Sequence, residues 1–255
     1  MTSPGALPRV ILLEDDASLR RYAQLALEGM AIEFVACSHV SEALNALRQA
    51  PARLVLTDLM LAGESGFSFL EQLSADARLR GDARVVVLSA GLTPEIHQRM
   101  SSLGVWRALS KPIGLKELER CVEEALAPFA DDGPASAAAA VEASTLSLDV
   151  VDEAQAIARH FEGDAELYRS FRQSCLQQFG LDAQAGDAAC DAGDVQALRR
   201  VAHNLKTVLR SLGHVALGDL AASVEDSAAA GDFDLAQGAW CRLQPLLQRL
   251  ATAAN

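Results

Sequence analysis

Short apolar runs and longer periodic stretches alternate along the chain from Val10 to Ala125. The runs Val10 to Leu13, Ile32 to Val35, Leu54 to Thr57 and Val85 to Leu88 predict strands buried in a parallel sheet. Between them, Leu19 to Leu27, Ser41 to Leu47, Phe67 to Leu73, Pro94 to Leu103 and Leu115 to Leu126 place apolar residues at three- and four-residue spacing, which predicts helices. A weaker fifth strand is expected from Trp106 to Leu109. Five strand-helix units of this kind predict an α/β domain, a doubly wound five-stranded parallel sheet, over residues 1–127.

The pattern then changes twice. Residues 128–145 are rich in Ala, Asp, Gly, Pro and Ser, with Asp131-Asp132-Gly133-Pro134 as a breaker, and read as a linker. From Leu146 to the end only amphipathic helical spacing remains, with breaks expected near Gly163-Asp164, Gly180, Gly193-Asp194, Gly213 and Gly231-Asp232. Residues 146–255 therefore predict an all-α antiparallel four-helix bundle.

With 255 residues, half of them hydrophobic, each of two small domains can bury a core of its own. The formal net charge of −12 and the dispersal of the basic residues argue against a nucleic-acid partner. The cysteines Cys37, Cys121, Cys175, Cys190 and Cys241 are odd in number and form no C-x-x-C pair, so a reducing cytoplasm is expected. No apolar run approaches the roughly 18 residues of a membrane span, and no membrane insertion is expected.

In a parallel α/β sheet the ligand site lies at the carboxyl ends of the strands. Polar groups of one chemical theme follow the strands there: Glu14 and Asp15, Asp58, Ser89, and Lys111 after the fifth. Clustered carboxylates repel each other unless a divalent cation or an ammonium sits among them. Mg²⁺ takes oxygen ligands, commonly one or two carboxylates together with a phosphoryl group, and Glu14, Asp15 and Asp58 suit it. A phosphoryl group on Asp58 as nucleophile would be met by the metal, the Ser89 hydroxyl and the Lys111 ammonium. Asp16 reads as a helix cap.

Four ordered blocks resemble the receiver domain of two-component response regulators: Val10 to Asp16, Leu56 to Leu61 with Gly63 and Ser65-Gly66, Val87 to Ala90, and Ser110-Lys111-Pro112. The resemblance implies a flavodoxin-like fold, Asp58 as phosphoacceptor and Glu14 with Asp15 as the acidic pair. It further implies the Met60 carbonyl as a backbone Mg²⁺ ligand, and Ser89 and Lys111 as residues that sense the phosphoryl group. The chain departs from the family at Ala108, where receivers usually carry an aromatic residue three positions before the lysine.

In the helical half, Leu198, Val201, Ala202, Leu205, Val208, Leu209 and Leu212 form one apolar stripe. His203 falls off that stripe, with Arg199, Lys206, Thr207 and Arg210 within about 60° of it, so a solvent-facing imidazole among three cations is expected. Such a nitrogen can carry a phosphoryl group without a metal. His39, His97, His160 and His214 have no matching context and read as ordinary histidines.

Ala202-His203-Asn204-Leu205-Lys206, Ser211-Leu212-Gly213, Leu217 and Val224-Glu225 resemble the histidine-phosphotransfer (HPt) domain. Phe161 to Asp164 and Ala192-Gly193-Asp194 fit the same family pattern. The resemblance implies His203 as a second phosphoacceptor and Lys206 as its cationic neighbour, with Thr207 where the family usually has glycine. Together the two resemblances imply a phosphorelay intermediate rather than a kinase. Its partners would be a sensor or hybrid histidine kinase and a downstream response-regulator receiver. Two other classes remain open: a regulatory module in which the receiver gates His203, and a phosphatase working through an aspartyl phosphate. The phosphatase motif wants a second acid where Met60 stands.

Overall fold

A computed structural model describes residues 7–91, 93–127 and 152–252, which divide into two compact units. The first is built on five parallel strands: β1 (Arg9–Leu13), β2 (Glu33–Cys37), β3 (Leu54–Asp58), β4 (Arg84–Ser89) and β5 (Arg107–Ser110). Their order in the sheet is β2-β1-β3-β4-β5. The intervening helices are α1 (Ala17–Ala26), α2 (Val40–Gln49), α3 (Gly66–Ala75), α4 (Ala77–Arg80), α5 (Pro94–Ser102) and α6 (Leu115–Leu126). All five predicted strands and helices form. The short α4 was not anticipated; Asp76 caps it by accepting from the Arg78 and Leu79 amides.

Alternate strand residues point to opposite faces of the sheet. Ile11, Leu13, Val55, Val85 and Val87 pack with Ala43, Leu44 and Leu47 of α2 and Phe69, Leu70 and Leu73 of α3. Val10, Leu12, Leu54, Leu56 and Val86 are just as fully buried, so both faces are covered. That explains strand runs that are apolar throughout rather than alternating. The buried Arg9 is held by the end of α2, its guanidinium donating to the Ala46 and Ala50 carbonyls at 2.7 and 3.1 Å.

The second unit comprises α7 (Glu153–His160), α8 (Ala165–Ala192), α9 (Val195–Ser211), α10 (Val215–Ala229) and α11 (Phe233–Thr252). The four long helices form the predicted bundle, with α7 as an additional short helix. The breaks near Gly163, Gly193, Gly213 and Gly231 are present, and all four of these glycines have positive φ. The break expected at Gly180 is absent: α8 runs through it. Cys175, Leu176, Phe179, Ala183, Gly186 and Ala189 form a buried stripe on both sides of Gly180, and that burial outweighs the roughly 1 kcal/mol helix cost of one glycine.

Gly186 is needed for close packing, since a Cβ there would lie 1.9 Å from the Trp240 ring of α11. Asp187 beside it accepts from Trp240 Nε1 and Gln244 Nε2, both at 2.9 Å. The predicted linker, 128–145, lies outside the described residues. Among the described residues no helix is long and apolar enough to cross a membrane.

Candidate functional site

The register of the sheet assembles the first site. Leu13 pairs with Thr57, Asp58 with Leu88, and Ser89 with Ser110. Glu14, Asp58, Ser89 and Lys111 are therefore each the last residue of a strand or the first beyond it, all at one edge. Two backbone bonds prolong the ladder past the strands: the Glu14 amide donates to the Cys37 carbonyl at 3.0 Å and the Lys111 amide to the Ser89 carbonyl at 2.9 Å.

At that edge Lys111 Nζ donates to Asp58 Oδ2 at 2.7 Å and to Glu14 Oε2 at 2.5 Å. Glu14 and Asp58 are each 1% exposed. Burial alone would favour a neutral lysine, but the Asp58 and Glu14 carboxylates outweigh it and hold the ammonium above its ordinary pKa. Asp58 Oδ1 accepts from the Met60 amide at 3.1 Å, and Asp15 Oδ2 from the Ala62 amide at 3.0 Å. Burial, with the Asp58 charge adding to it, raises the pKa of Asp15.

One ligand atom from each of Glu14, Asp15 and Asp58 lies within 4.8 Å of the others. Asp15 Oδ1 is buried with no hydrogen-bond partner. An unpaired carboxylate oxygen in an oxygen-rich cluster fits a hard divalent cation such as Mg²⁺.

Ser89 is buried at the same edge, but its hydroxyl engages Gly91, donating to the carbonyl at 3.1 Å and accepting from the amide at 3.3 Å. Gly66 has a role the sequence reading did not assign. A Cβ there would lie 2.0 Å from the Asp58 carbonyl oxygen, so only glycine lets α3 start against the residue that carries the acid. Ser65 caps that helix by accepting from the Ser68 amide. Asp16 accepts from the Leu19 amide at 2.8 Å, as expected of a cap.

The second site corrects the picture of an exposed histidine. His203 is 5% exposed and Thr207 3%, because α10 packs along α9 over the side expected to face solvent. Glu225 of α10 reaches across: its Oε1 lies 2.8 Å from His203 Nδ1, while its Oε2 accepts from Lys206 Nζ. Burial pushes the Glu225 carboxyl upward. The hydrogen bond and charge of His203, with those of Lys206, overcome this and bring its pKa down to about 2.

In the neutral imidazole, a carboxylate at Nδ1 accepts a hydrogen bond from the Nδ1–H tautomer, which leaves the lone pair on Nε2. That Nε2 is buried without a protein partner, as are Arg199 Nε and Asn204 Oδ1. Arg210 is tied to Asp219 at 2.8 Å. The cations expected around the imidazole are therefore differently employed: Lys206 by Glu225 and Arg210 by Asp219. Thr207, which stands where the family usually has glycine, donates its hydroxyl to the His203 carbonyl at 3.4 Å. Glu225 had appeared in the sequence only as part of a family string. No helical spacing could have joined it to His203, since the two sit on different helices.

Comparison with known proteins matches residues 10–123 to the response regulator receiver domain and residues 166–253 to the Hpt domain. The sensory/regulatory protein RpfC of Xanthomonas campestris is 28% identical over 251 residues, covering 95% of this chain and 33% of RpfC. The sensor histidine kinase GacS of Pseudomonas protegens is 28% identical over 216 residues, 83% of this chain and 23% of GacS. The chain thus spans at most about a third of these two relatives. The crystal structure of the Vibrio cholerae chemotaxis protein CheY4 superposes with a TM-score of 0.45 at 21% identity, covering 48% of this chain and all of CheY4.

Proposed function

Because this chain belongs to the two-component phosphorelay proteins, joining a response regulator receiver domain to an Hpt domain, we propose that it carries phosphoryl groups on two residues, Asp58 and His203. Asp58 takes a phosphoryl group from a phosphohistidine of a sensor or hybrid histidine kinase. His203 exchanges one with the aspartate of a receiver. Residues 1–127 and 146–255 are the two working parts, in a cytoplasmic setting consistent with five free cysteines.

The observation that carries this reading is the Lys111 ammonium, fixed between Asp58 and Glu14 with both carboxylates buried. An aspartate held in this way is a nucleophile with its counter-charge already in place, and no reorganisation is needed as charge shifts onto the transferred group. Glu14, Asp15 and Asp58, with the Met60 carbonyl, would hold Mg²⁺, which when bound supplies charge neutralisation for the phosphoryl oxygens. Lys111 neutralises the carboxylates in the resting site and stays protonated throughout. Ser89 reaches the phosphoryl group by rotating its hydroxyl off Gly91. His203 needs no metal, since Glu225 fixes its ring and leaves Nε2 as the attacking atom.

The test is to incubate the chain with a phosphorylated donor kinase and Mg²⁺, then map acid-labile and base-labile phosphate in wild type, Asp58→Asn and His203→Gln. Two chemically distinct labels, each lost with its own substitution, are expected. A single label on Asp58, with none on His203 when phosphorylated receivers are offered, would overturn the two-site reading.

A further inference from the structure

Cys190 lies in the last turn of α8 and Cys241 in the middle of α11. No sequence spacing joins them, but the packing of the two helices does. Consecutive long helices of the bundle are joined by short turns at Gly193, Gly213 and Gly231, so α8 and α11, the first and fourth of them, run antiparallel. Three contacts fix their register: Gly186 lies under the Trp240 ring, and Asp187 accepts from Trp240 Nε1 and Gln244 Nε2, both at 2.9 Å. One turn onward from Asp187 on α8 is Cys190, and one turn back from Gln244 on α11 is Cys241. In an antiparallel pair those two steps lead to the same level, so the two cysteines come opposite each other along the seam.

Charge links them as well. Burial pushes the Cys190 thiol up to about 11, and the charge of Cys241 is the next cause, ahead of Asp187 and Asp191 on the same helix as Cys190. A group on another helix that outweighs neighbours on the same one lies close. Access differs between the two: Cys241 is exposed and Cys190 half-buried, whereas Cys37, Cys121 and Cys175 are buried. The backbone has give at both positions. Cys190 belongs to the last turn of its helix, and Pro245 of α11 has no N–H to offer the Cys241 carbonyl, which its ring also crowds. Helix α11 can therefore bend at Cys241, where joining the sulfurs asks the Cα atoms to come to about 6 Å.

We propose that Cys190 and Cys241 form a reversible disulfide, a redox modification site that ties the first and last long helices of the bundle together. The oxidant is a small disulfide such as oxidised glutathione. The exposed Cys241, as its thiolate, attacks one sulfur of that disulfide. A protein–glutathione S–S bond forms as the glutathione S–S bond breaks, and one glutathione thiolate leaves and takes up a proton. Cys190 then gives up its proton and attacks the Cys241 sulfur, expelling the second glutathione. The two cysteines lose two electrons in all, and the small disulfide is reduced to two thiols. In the mixed disulfide the Cys241 sulfur carries no charge, so its repulsion of a Cys190 thiolate is gone before that thiolate attacks. The closed bond encloses α9 and α10, with His203 and Glu225, in one covalent loop. Long loops of this kind restrict the unfolded chain most, so oxidation stabilises the bundle.

In the experiment the full chain is equilibrated with oxidised glutathione under native conditions, the remaining thiols are blocked, and the chain is mapped by mass spectrometry without reduction. One peptide pair joined through Cys190 and Cys241 of the same chain is expected, and excess dithiothreitol should reopen it. Cys190→Ser should instead keep a glutathione adduct at Cys241. In hydrogen exchange, amides of α9 and α10 that open only with the whole bundle should slow about thirtyfold on oxidation, and not at all in Cys190→Ser. Adducts that persist at Cys241 in wild type, or a bond between the Cys241 thiols of two copies, would overturn the proposal. So would a Cys190–Cys241 bond that leaves exchange unchanged, since the sulfurs would then be joined without holding the helices. The mapping and the exchange are both read on wild type, so the test stands even where the Cys190→Ser chain fails to fold.

Discussion

Glu225 Oε1 lies 2.8 Å from His203 Nδ1, a bond between two helices across 22 residues of sequence. Its sister oxygen is occupied by Lys206, so one carboxylate sets both the tautomer of the ring and the place of the nearest lysine. Substitution to Ala leaves a buried imidazole N–H and a half-buried ammonium without their acceptor. A loss of about 1–3 kcal/mol is expected in urea unfolding of the full chain. ¹⁵N NMR of the His203 ring should show one Nδ1–H tautomer in wild type and a mixture in Glu225→Ala.

The same carboxylate gives a pH dependence of known sign. Its pKa is depressed in the folded chain to about 2 from an ordinary 4.5. Its contribution to stability is therefore fully present above the ordinary value and is lost as pH falls from there through the folded value. The stability difference between wild type and Glu225→Gln should be constant near neutrality and shrink below about pH 4.5, measured by denaturant melts across that range. A difference that grows toward acid would contradict the assigned pairing.

The Lys111 ammonium lies between Asp58 and Glu14, and both carboxylates are buried. Lys111→Ala should lower stability by roughly 3–5 kcal/mol, the cost of leaving buried charges unpaired. Added Mg²⁺ should then raise the melting temperature of the variant more than that of wild type, because the metal replaces a lost neutraliser. No Mg²⁺ response in either protein would show that the acids do not form a cation site.

Gly66→Ala forces a methyl group to within 2.0 Å of the Asp58 carbonyl oxygen, so the start of α3 or the end of β3 must shift. Overpacking of this kind costs about 1–3 kcal/mol. A displacement of even 1 Å at a reacting carboxylate can cost on the order of a hundredfold in rate, so phosphorylation of Asp58 should fall by more than the loss of stability explains. Gly63→Ala serves as the control, since nothing lies within 4 Å of a Cβ there, although its positive φ adds some strain.

The strand ends were legible in the sequence because a parallel sheet buried on both faces leaves polar residues nowhere to go but its edge. Glu14, Asp58 and Lys111 stand out against runs such as Val10 to Leu13 for that reason. Gly180 was misread because a single glycine signals a break only where packing does not decide, and α8 is packed along its length by Phe171, Phe179 and Ala189. His203 was placed correctly on its helix but in the wrong environment. A helical wheel shows which residues share a face, not which faces a neighbouring helix covers, and the covering element here brings Glu225 from a distant part of the chain. Gly66 was visible as part of a motif, while its reason, the nearness of the Asp58 backbone, exists only in three dimensions.

The backbone ladder works as a ruler for the chemistry at its edge. Asp58 closes β3, and Lys111 follows β5 by one residue. What aligns them is the count of residues along each strand, not the identity of the apolar side chains within it. Exchanging Val, Ile and Leu inside the strands leaves the ruler intact. Removing one residue from β3 turns every later side chain to the opposite face and carries the acid with it. This end of the molecule can thus tolerate wide change in composition and almost none in length.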